Sequence, residues 1–302
     1  MTLAGLFYSL LTALCWGTVP VIYRRNMVQM PFEKMNALRS FGFLGAMVPL
    51  VAFYAPQSFL QVPLPVIGMI AAACLVGNVL GDVLYMKSIR LLGVGKASAI
   101  TSISPLVVMV ISVFWLGERI SLLGMAGALA IIFGLNLVRR TEGIQRRSPE
   151  EANLRKGFLL AVLTALCWGC SFPVTKWILA NTAVDVASLN FWRAASFVPL
   201  SWAFWFLRAL SIPKAERATP LCTTTRGIFL ELLAAGALAL ALGGFFLALA
   251  LERAPASLVS PLTSSYPLVA ATWGLLLFKE RLNRIQLFGV CSIIGGSVVI
   301  SL

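Results

Sequence analysis

A few ionisable side chains lie inside apolar stretches of this 302-residue chain, and each is a candidate for function: Arg39, Asp82, Arg193 and Glu231. Glu231 lies only one turn from the end of its stretch, so an interfacial or arginine-paired role is favoured there over proton coupling. A charge inside a bilayer is costly unless it is paired or hydrated, so such a residue commonly marks a substrate or ion pathway. Histidine is absent, which excludes Ser–His and Cys–His nucleophiles and histidine metal sites. These residues therefore favour ligand binding and transport, and we predict no catalytic residue, metal or cofactor.

Arg39 and Asp82 are predicted to lie at similar depth in neighbouring spans, where they can pair. In one interpretation the pair is structural and fixes the positions of two helices. In the other, the pair opens during a transport cycle, and Asp82 takes up a proton as the coupling residue or Arg39 binds a substrate carboxylate. The residue types are compatible with both interpretations.

Arg193 occupies the equivalent place in the second half of the chain, but Gly244 stands where the first half has Asp82. An arginine without an acidic partner suits a substrate carboxylate or phosphate, because its planar fork donates two parallel hydrogen bonds. The alternative is that Arg193 extends to the lipid headgroups at the nearer membrane surface.

Polar and aromatic side chains at matching places in both halves are candidates for the wall of a binding site. Hydroxyl groups in two apolar runs, residues 94–116 and 256–278, either line a polar path or join helices through hydrogen bonds. Tryptophans in two other runs, residues 3–23 and 157–180, either form an apolar wall with an N–H donor or serve in ordinary packing. With Arg39 and Arg193, the candidate substrate-binding residues are Trp16, Trp168, Ser98, Thr101, Ser102, Thr263, Ser264 and Tyr266.

Prolines interrupt these spans at paired positions. A proline removes a backbone donor and kinks a helix, so paired kinks predict a central cavity with hinges at Pro20, Pro173, Pro105 and Pro267. The alternative is that proline is simply more frequent in membrane helices than in soluble ones.

The composition places these residues in a membrane protein. Hydrophobic residues make up 59% of the chain and charged residues 12%, and the mean hydropathy is +0.91, whereas soluble domains carry about 25% charged residues. Apolar runs of membrane-spanning length predict helices, because a barrel would show shorter, alternating strands. Ten such runs cover residues 3–23, 35–54, 64–86, 94–116, 120–138, 157–180, 185–208, 227–251, 256–278 and 282–302.

The chain contains an internal duplication. Leu11–Gly17 and Leu163–Gly169 both read LTALCWG, and residues 81–134 align with 243–296 at a constant offset of 162. Because each half holds an odd number of spans, the second half must enter the membrane with the opposite orientation. The predicted fold is an all-α integral membrane protein with ten transmembrane helices, arranged as two inverted five-helix repeats around a central cavity. Residues 1–138 form the first repeat, 139–156 a cytoplasmic linker and 157–302 the second repeat.

The net charge of +13 does not indicate nucleic-acid binding, because the basic residues are spread over short loops. They concentrate in the loops after odd-numbered spans, which the positive-inside rule places in the cytoplasm. We therefore expect a multi-pass protein of a prokaryotic plasma membrane, with both termini on the extracytoplasmic side. Its predicted partners are a small-molecule substrate and membrane lipids, with the proton as a candidate coupling ion, and the chain acts as a monomer or homodimer.

Three motifs present in both halves resemble the drug/metabolite transporter superfamily, specifically its ten-helix EamA-type branch. They are CWGTVP at Cys15–Pro20 with CWGCSFP at Cys167–Pro173, the arginine of Asn36–Arg39 with that of Asn190–Arg193, and Glu118-Arg119 with Glu280-Arg281. The resemblance covers nearly the whole chain and implies two inverted bundles that move small metabolites, often amino acids and commonly by export. Members of that family often have cytoplasmic termini, so the charge pattern here departs from it.

We therefore predict a secondary transporter, and most simply an exporter, of a small polar or amphipathic metabolite, with amino acids as the best single candidate. A Walker phosphate-binding motif is absent. The first alternative is a lipid or lipid-intermediate flippase on the same scaffold, and the second is an intramembrane enzyme, which the missing histidine disfavours.

Overall fold

A computed structural model of the protein describes residues 2–23, 30–55, 57–92, 97, 100–101, 103–139, 151–210, 225–266, 268–269, 272–273, 276 and 284–301. The described residues form α-helices, π-helical segments and one short 3-10 turn, and include no strand. The α-helices are α1 (Leu3–Tyr23), α2 (Phe32–Tyr54), α3 (Leu64–Cys74), α4 (Asp82–Leu92), α5 (Ser104–Leu116), α6 (Leu122–Arg139), α7 (Glu151–Asn181), α8 (Val186–Leu210), α9 (Arg226–Ala235), α10 (Gly244–Arg253), α11 (Ala256–Thr263) and α12 (Arg284–Ser301).

Two pairs of these helices are continuous. A π-helical segment, Leu75–Gly81, joins α3 to α4, and another, Gly236–Gly243, joins α9 to α10. Counted this way the described residues form ten helices, at the places where apolar runs were predicted. The all-α prediction is confirmed.

Among the described residues, four continuous helices are long and apolar enough to cross a membrane, namely Phe32–Tyr54, Leu64–Ile89, Leu154–Asn181 and Arg226–Arg253. Shorter apolar helices cover Leu3–Val19, Ser104–Leu116, Leu122–Leu137 and Arg284–Ile300. Charged residues extend some helices beyond their apolar cores. For example, α7 begins at Glu151, inside the segment 139–156 predicted as a linker.

Glycine ends α5 and allows the chain to cap a helix of the other half. Gly117 adopts a left-handed conformation with φ 66°, which glycine tolerates because it has no Cβ. The next residue, Glu118, accepts hydrogen bonds from the backbone N–H groups of Ala256 at 2.7 Å and Ser257 at 3.0 Å. The Glu118 carboxylate thus satisfies donors at the start of α11 that have no partner within the helix.

Helices at equivalent places in the two halves pack antiparallel to each other. In α6 and α12, a Cβ added to Gly127 would lie 2.7 Å from the Gly296 carbonyl oxygen, and one added to Gly134 would lie 2.5 Å from that of Gly289. Only glycine allows backbones to approach so closely. Gly127 lies against Gly296 near the end of α12, and Gly134 lies against Gly289 near its start. The two helices therefore run in opposite directions.

The α2 and α8 pair shows the same relation. Glu33, near the start of α2, lies 3.9 Å from Arg208, near the end of α8, and in the middle of the two helices the rings of Phe43 and Phe197 are 6.2 Å apart. The most extensive contacts of α1 are with α10 and of α7 with α4, each across the two halves. The halves are therefore interlocked, and a space between them is lined by both.

Candidate functional site

A cavity of about 300 Å³ lies between the two halves. Residues from both halves form its wall, including the two tryptophans of the repeated motif and the arginines Arg39 and Arg193. The lining residues used below are Trp16, Arg39, Ala73, Asn78, Asp82, Tyr85, Trp168, Phe172, Arg193, Gly244, Ser264 and Tyr266. The volume is that of a small-molecule site.

The arginine of the first half is paired. Arg39 Nη2 donates to Asp82 Oδ2, and the indole Nε1 of Trp168 donates to the other oxygen, Oδ1, at 3.1 Å. The Arg39 and Asp82 side chains are only 8% and 18% exposed. The predicted contact between Arg39 and Asp82 is present, and Trp168 adds a donor from the second half of the chain.

The arginine of the second half has amide partners instead of an acid. Arg193 Nη1 donates to Asn190 Oδ1 at 2.8 Å, and Nη2 makes a weak contact with Asn78 Oδ1 at 3.5 Å. Within the described part of the chain, no carboxylate forms a salt bridge with Arg193. A Cβ added to Gly244 would lie 3.1 Å from Arg193 Nη1. Gly244 is the counterpart of Asp82 in the repeat, so an acid at this position would lie next to the guanidinium group.

Each tryptophan covers a glycine of the opposite half. A Cβ added to Gly81 would lie 2.8 Å from Trp168 Nε1, and one added to Gly243 would lie 2.8 Å from Trp16 Nε1. Trp16 Nε1 donates to the Ala239 carbonyl oxygen at 3.1 Å, within the second π-helical segment. The two indoles thus occupy related positions but donate to a carboxylate in one half and to a backbone carbonyl in the other.

Aromatic rings surround both indoles. The ring of Trp16 lies 6.2 Å from that of Phe172 and 6.5 Å from that of Tyr266, and the ring of Trp168 lies 5.0 Å from that of Tyr85. Tilted and edge-on pairs at these distances are favourable. They pack against the indoles, whose N–H groups donate to Ala239 and Asp82.

The predicted hydroxyl residues fall into three groups. Ser264 and Tyr266 line the cavity, whereas Thr263 is fully buried and donates to the Ser260 carbonyl oxygen at 3.0 Å. Thr101 is also buried. Ser98 and Ser102 lie outside the described residues, as does the predicted hinge Pro267.

The other predicted hinges lie in helices. Pro173 lies inside α7 and Pro105 near the start of α5, and Pro20 lies in α1. Their role as hinges stays a prediction.

Sequence comparison decides the family. The model of the EamA-like transporter family matches residues 3–140 and again residues 155–302. The chain belongs to this family. The predicted resemblance is confirmed, and the family is one of transporters rather than of enzymes.

Individual relatives agree with this assignment. An uncharacterized inner membrane transporter of Escherichia coli (strain K12), YhbE, is 27% identical over 190 residues, which cover 60% of this chain and 54% of the relative. The protein of the same name in Shigella flexneri matches equally well. This chain therefore spans about half the length of these curated relatives. A solved structure described as a crystal structure of protein superimposes with a TM-score of 0.80 at 17% identity, covering 99% of this chain and 96% of the other. That similarity shows a shared fold.

Two amides were missed as candidate site residues of this EamA-like transporter. Asn78 lies in the first π-helical segment, and Asn190 lies one turn before Arg193 in α8. A side-chain amide within an apolar run is a signal that the sequence offers, because such a group must find a partner in lipid. The π-helical segments could not be predicted from the sequence in this way, because one residue inserted into a helical turn hardly changes the spacing of apolar residues.

Polar contacts join the loops at one end of the molecule. The Asp185 carboxylate accepts hydrogen bonds from Ser188 N–H at 2.9 Å and from the hydroxyl groups of Ser188 at 2.6 Å and Ser58 at 2.7 Å. Burial alone would raise the pKa of Asp185, but these hydrogen bonds outweigh it and hold the pKa below its ordinary value of 3.8. Asp185 therefore caps α8 and ties it to the loop that contains Ser58.

Proposed function

We propose that this EamA-like transporter is a secondary transporter that exports a small polar or amphipathic metabolite across the cytoplasmic membrane, with amino acids as the best candidate. The observation that carries the proposal is the cavity lined by both halves, in which the guanidinium group of Arg193 has only amide partners among the described residues. Aromatic rings supply apolar surface and arginine supplies charge. A site of this composition suits a compound with an apolar part and an anionic group.

Alternating access is the mechanism that this arrangement supports. Equivalent helices that touch run antiparallel, as α6 with α12 and α2 with α8, which is the relation expected of inverted repeats. Rocking of one group of helices against the other would expose the shared cavity first to one side of the membrane and then to the other. In this proposal the loops rich in Lys and Arg face the cytoplasm and both termini face outward.

Flux through the cavity is tested by a pair of neighbouring substitutions. Ala73 lines the cavity, whereas Ala72, in the same helix, is exposed on the outer surface. Ala73→Trp should fill the cavity, while the matched control Ala72→Trp adds the same bulk where lipid can accommodate it. The purified variants would be reconstituted in liposomes and assayed for uptake and counterflow of amino acids, organic acids, sugars and nucleobases.

We expect the wild type and Ala72→Trp to move one class of water-soluble compound, and Ala73→Trp to lose at least about 90% of that flux, because binding requires the space that the indole occupies. Equal flux in both variants would contradict transport through this cavity. Movement of lipid-linked compounds with no flux of any water-soluble class would favour the flippase instead.

A further inference from the structure

We propose that a carboxylate-binding subsite lies beside Gly244, formed by Arg193 and Asn190 of the second half and Trp16 of the first, and that Asp82 shows how the substrate's carboxylate is held. This inference rests on the proposed transport function and specifies the chemical class of the substrate.

The first half displays a bound carboxylate. One oxygen of Asp82 accepts from the Arg39 guanidinium group and the other from the Trp168 indole N–H. The guanidinium group and the indole N–H can only donate hydrogen bonds, so together they suit a group with two acceptor oxygens. We take this arrangement of Asp82 as the template for how a substrate carboxylate is bound.

Every element of that template recurs around Gly243 and Gly244 except the acid. Gly81 and Asp82 correspond to Gly243 and Gly244 at the repeat offset of 162. Trp16 covers Gly243 as Trp168 covers Gly81, each with the indole nitrogen 2.8 Å from where a Cβ would be. The indole of Trp16 therefore lies at Gly243 and the guanidinium group of Arg193 at Gly244. Because Gly244 has no side chain and lines the cavity, a carboxylate of the substrate can take the place of the missing acid.

The donors at Gly244 are arranged to receive such a group. A Cβ at this position would lie 3.1 Å from Arg193 Nη1 and 3.4 Å from Asn190 Oδ1, so an atom just beyond it is within hydrogen-bond distance of the guanidinium group. Asn190 already accepts from Arg193 at 2.8 Å and orients it. Trp16 donates to the Ala239 carbonyl oxygen, and a small rotation of the indole would transfer that N–H to a carboxylate oxygen. One hydrogen bond would replace another.

Carboxylates should consequently be preferred over the corresponding amides. A carboxylate accepts from both donors, and hydrogen bonds to a charged acceptor are the stronger kind. An amide has only one acceptor oxygen, so its NH₂ group would face the second donor and leave it without an acceptor, which a buried site rejects strongly. We expect at least about tenfold tighter binding of the acid.

The test uses pentanoate and pentanamide, which have the same shape, as probes of thermal stability in detergent. Four forms would be compared across a probe titration: the wild type, Gly244→Asp, Gly244→Asn and Arg193→Gln. Gly244→Asp introduces the missing acid, and Gly244→Asn adds an uncharged side chain of the same size. A ligand that binds only the folded state raises its stability by RT ln(1 + [L]/Kd), so the rise in unfolding temperature along each titration yields an apparent Kd without any transport assay.

We expect pentanoate, but not pentanamide, to raise the unfolding temperature of the wild type. Pentanoate affinity should fall at least about tenfold more in Gly244→Asp than in Gly244→Asn, because the new carboxylate occupies Arg193. Arg193→Gln, which leaves no unpaired charge, should abolish the preference for the acid and provides a second test if Gly244→Asp fails to fold.

Several results would overturn the proposal: equal stabilisation of the wild type by acid and amide, no response to pentanoate, or equal pentanoate affinity in the two Gly244 variants. Failure of the transport proposal looks different, because it appears as absent flux in liposomes while the binding preference persists.

Discussion

The two halves of this EamA-like transporter share a scaffold and differ in charge. Both place an arginine seven residues after the start of a helix. Both also contain a π-helical segment that ends in a glycine, and a tryptophan of the other half packs against that glycine. In the first half the arginine is paired with Asp82, and in the second it meets amides beside Gly244. Duplication has therefore preserved the packing while one half has gained, or the other lost, an internal counterion.

A second difference follows from the first. Asn36 stands one turn before Arg39, as Asn190 stands one turn before Arg193. Asn190 bonds to its arginine, but both polar atoms of the Asn36 side chain are buried without a hydrogen-bond partner among the described residues. The guanidinium group of Arg39 donates to the Asp82 carboxylate instead. The first half thus stabilises an ion pair, and the second keeps its guanidinium group beside the cavity.

The largest expected effect comes from removing the counterion. Asp82→Ala removes the carboxylate that forms a buried ion pair with Arg39, and breaking such a pair from one side should cost about 3–5 kcal/mol of stability. Arg193→Gln removes a charge that has no acidic partner among the described residues and should cost less than about 1 kcal/mol. Thermal or denaturant unfolding in the same detergent compares the two.

The double variant Arg39→Gln/Asp82→Asn is the control for this comparison. It removes both charges together, so it should recover much of the loss seen in Asp82→Ala. Equal losses for Asp82→Ala and Arg193→Gln would contradict the difference between the halves.

A smaller difference is expected for the two tryptophans. Trp168→Phe removes a hydrogen bond to a carboxylate, worth about 1.5–3 kcal/mol, whereas Trp16→Phe removes one to a neutral carbonyl, worth about 1 kcal/mol. Both substitutions keep an aromatic ring in the wall, so unfolding measurements isolate the lost N–H. A larger loss for Trp16→Phe would show that the halves do not differ in this way.

The smallest effect is expected for Asp185, which caps α8 away from the two arginines. Its loss gives a reference against which the larger losses in the two halves can be judged. Because the folded-state pKa of Asp185 is lowered, its stabilisation is present above the unfolded pKa and is lost as pH falls through the folded value. Asp185→Asn should remove less than about 1 kcal/mol, since the residue is partly exposed. Unfolding measured between about pH 3 and pH 6 should show a shallower pH dependence in this variant, and an unchanged slope would contradict the assignment.

The helices could be predicted from the sequence because burial in lipid requires long apolar runs, and the repeat identified Arg39 and Arg193 as counterparts. Helix ends were less accurate: α2 begins at Phe32 and α7 at Glu151, earlier than predicted, because charged residues continue a helix into the headgroup region.

The partners of the site were harder to predict. Nothing in the spacing indicates that Trp168 donates to Asp82 while Trp16 donates to Ala239, since this choice depends on how the two halves interlock. The hydroxyl pattern was ambiguous for a similar reason. Thr263 is satisfied by the backbone of its own helix, and its neighbour Ser264 lines the cavity, although one residue separates them.

The most direct test of the account exchanges the acid between the halves. The double variant Asp82→Gly/Gly244→Asp, purified in detergent, would be titrated with pentanoate while its thermal stability is followed, alone and combined with Arg39→Gln or Arg193→Gln. The account predicts that the exchanged protein still binds pentanoate and that binding now requires Arg39 instead of Arg193. A folded exchange variant that binds no pentanoate, or whose binding still depends on Arg193, would contradict it.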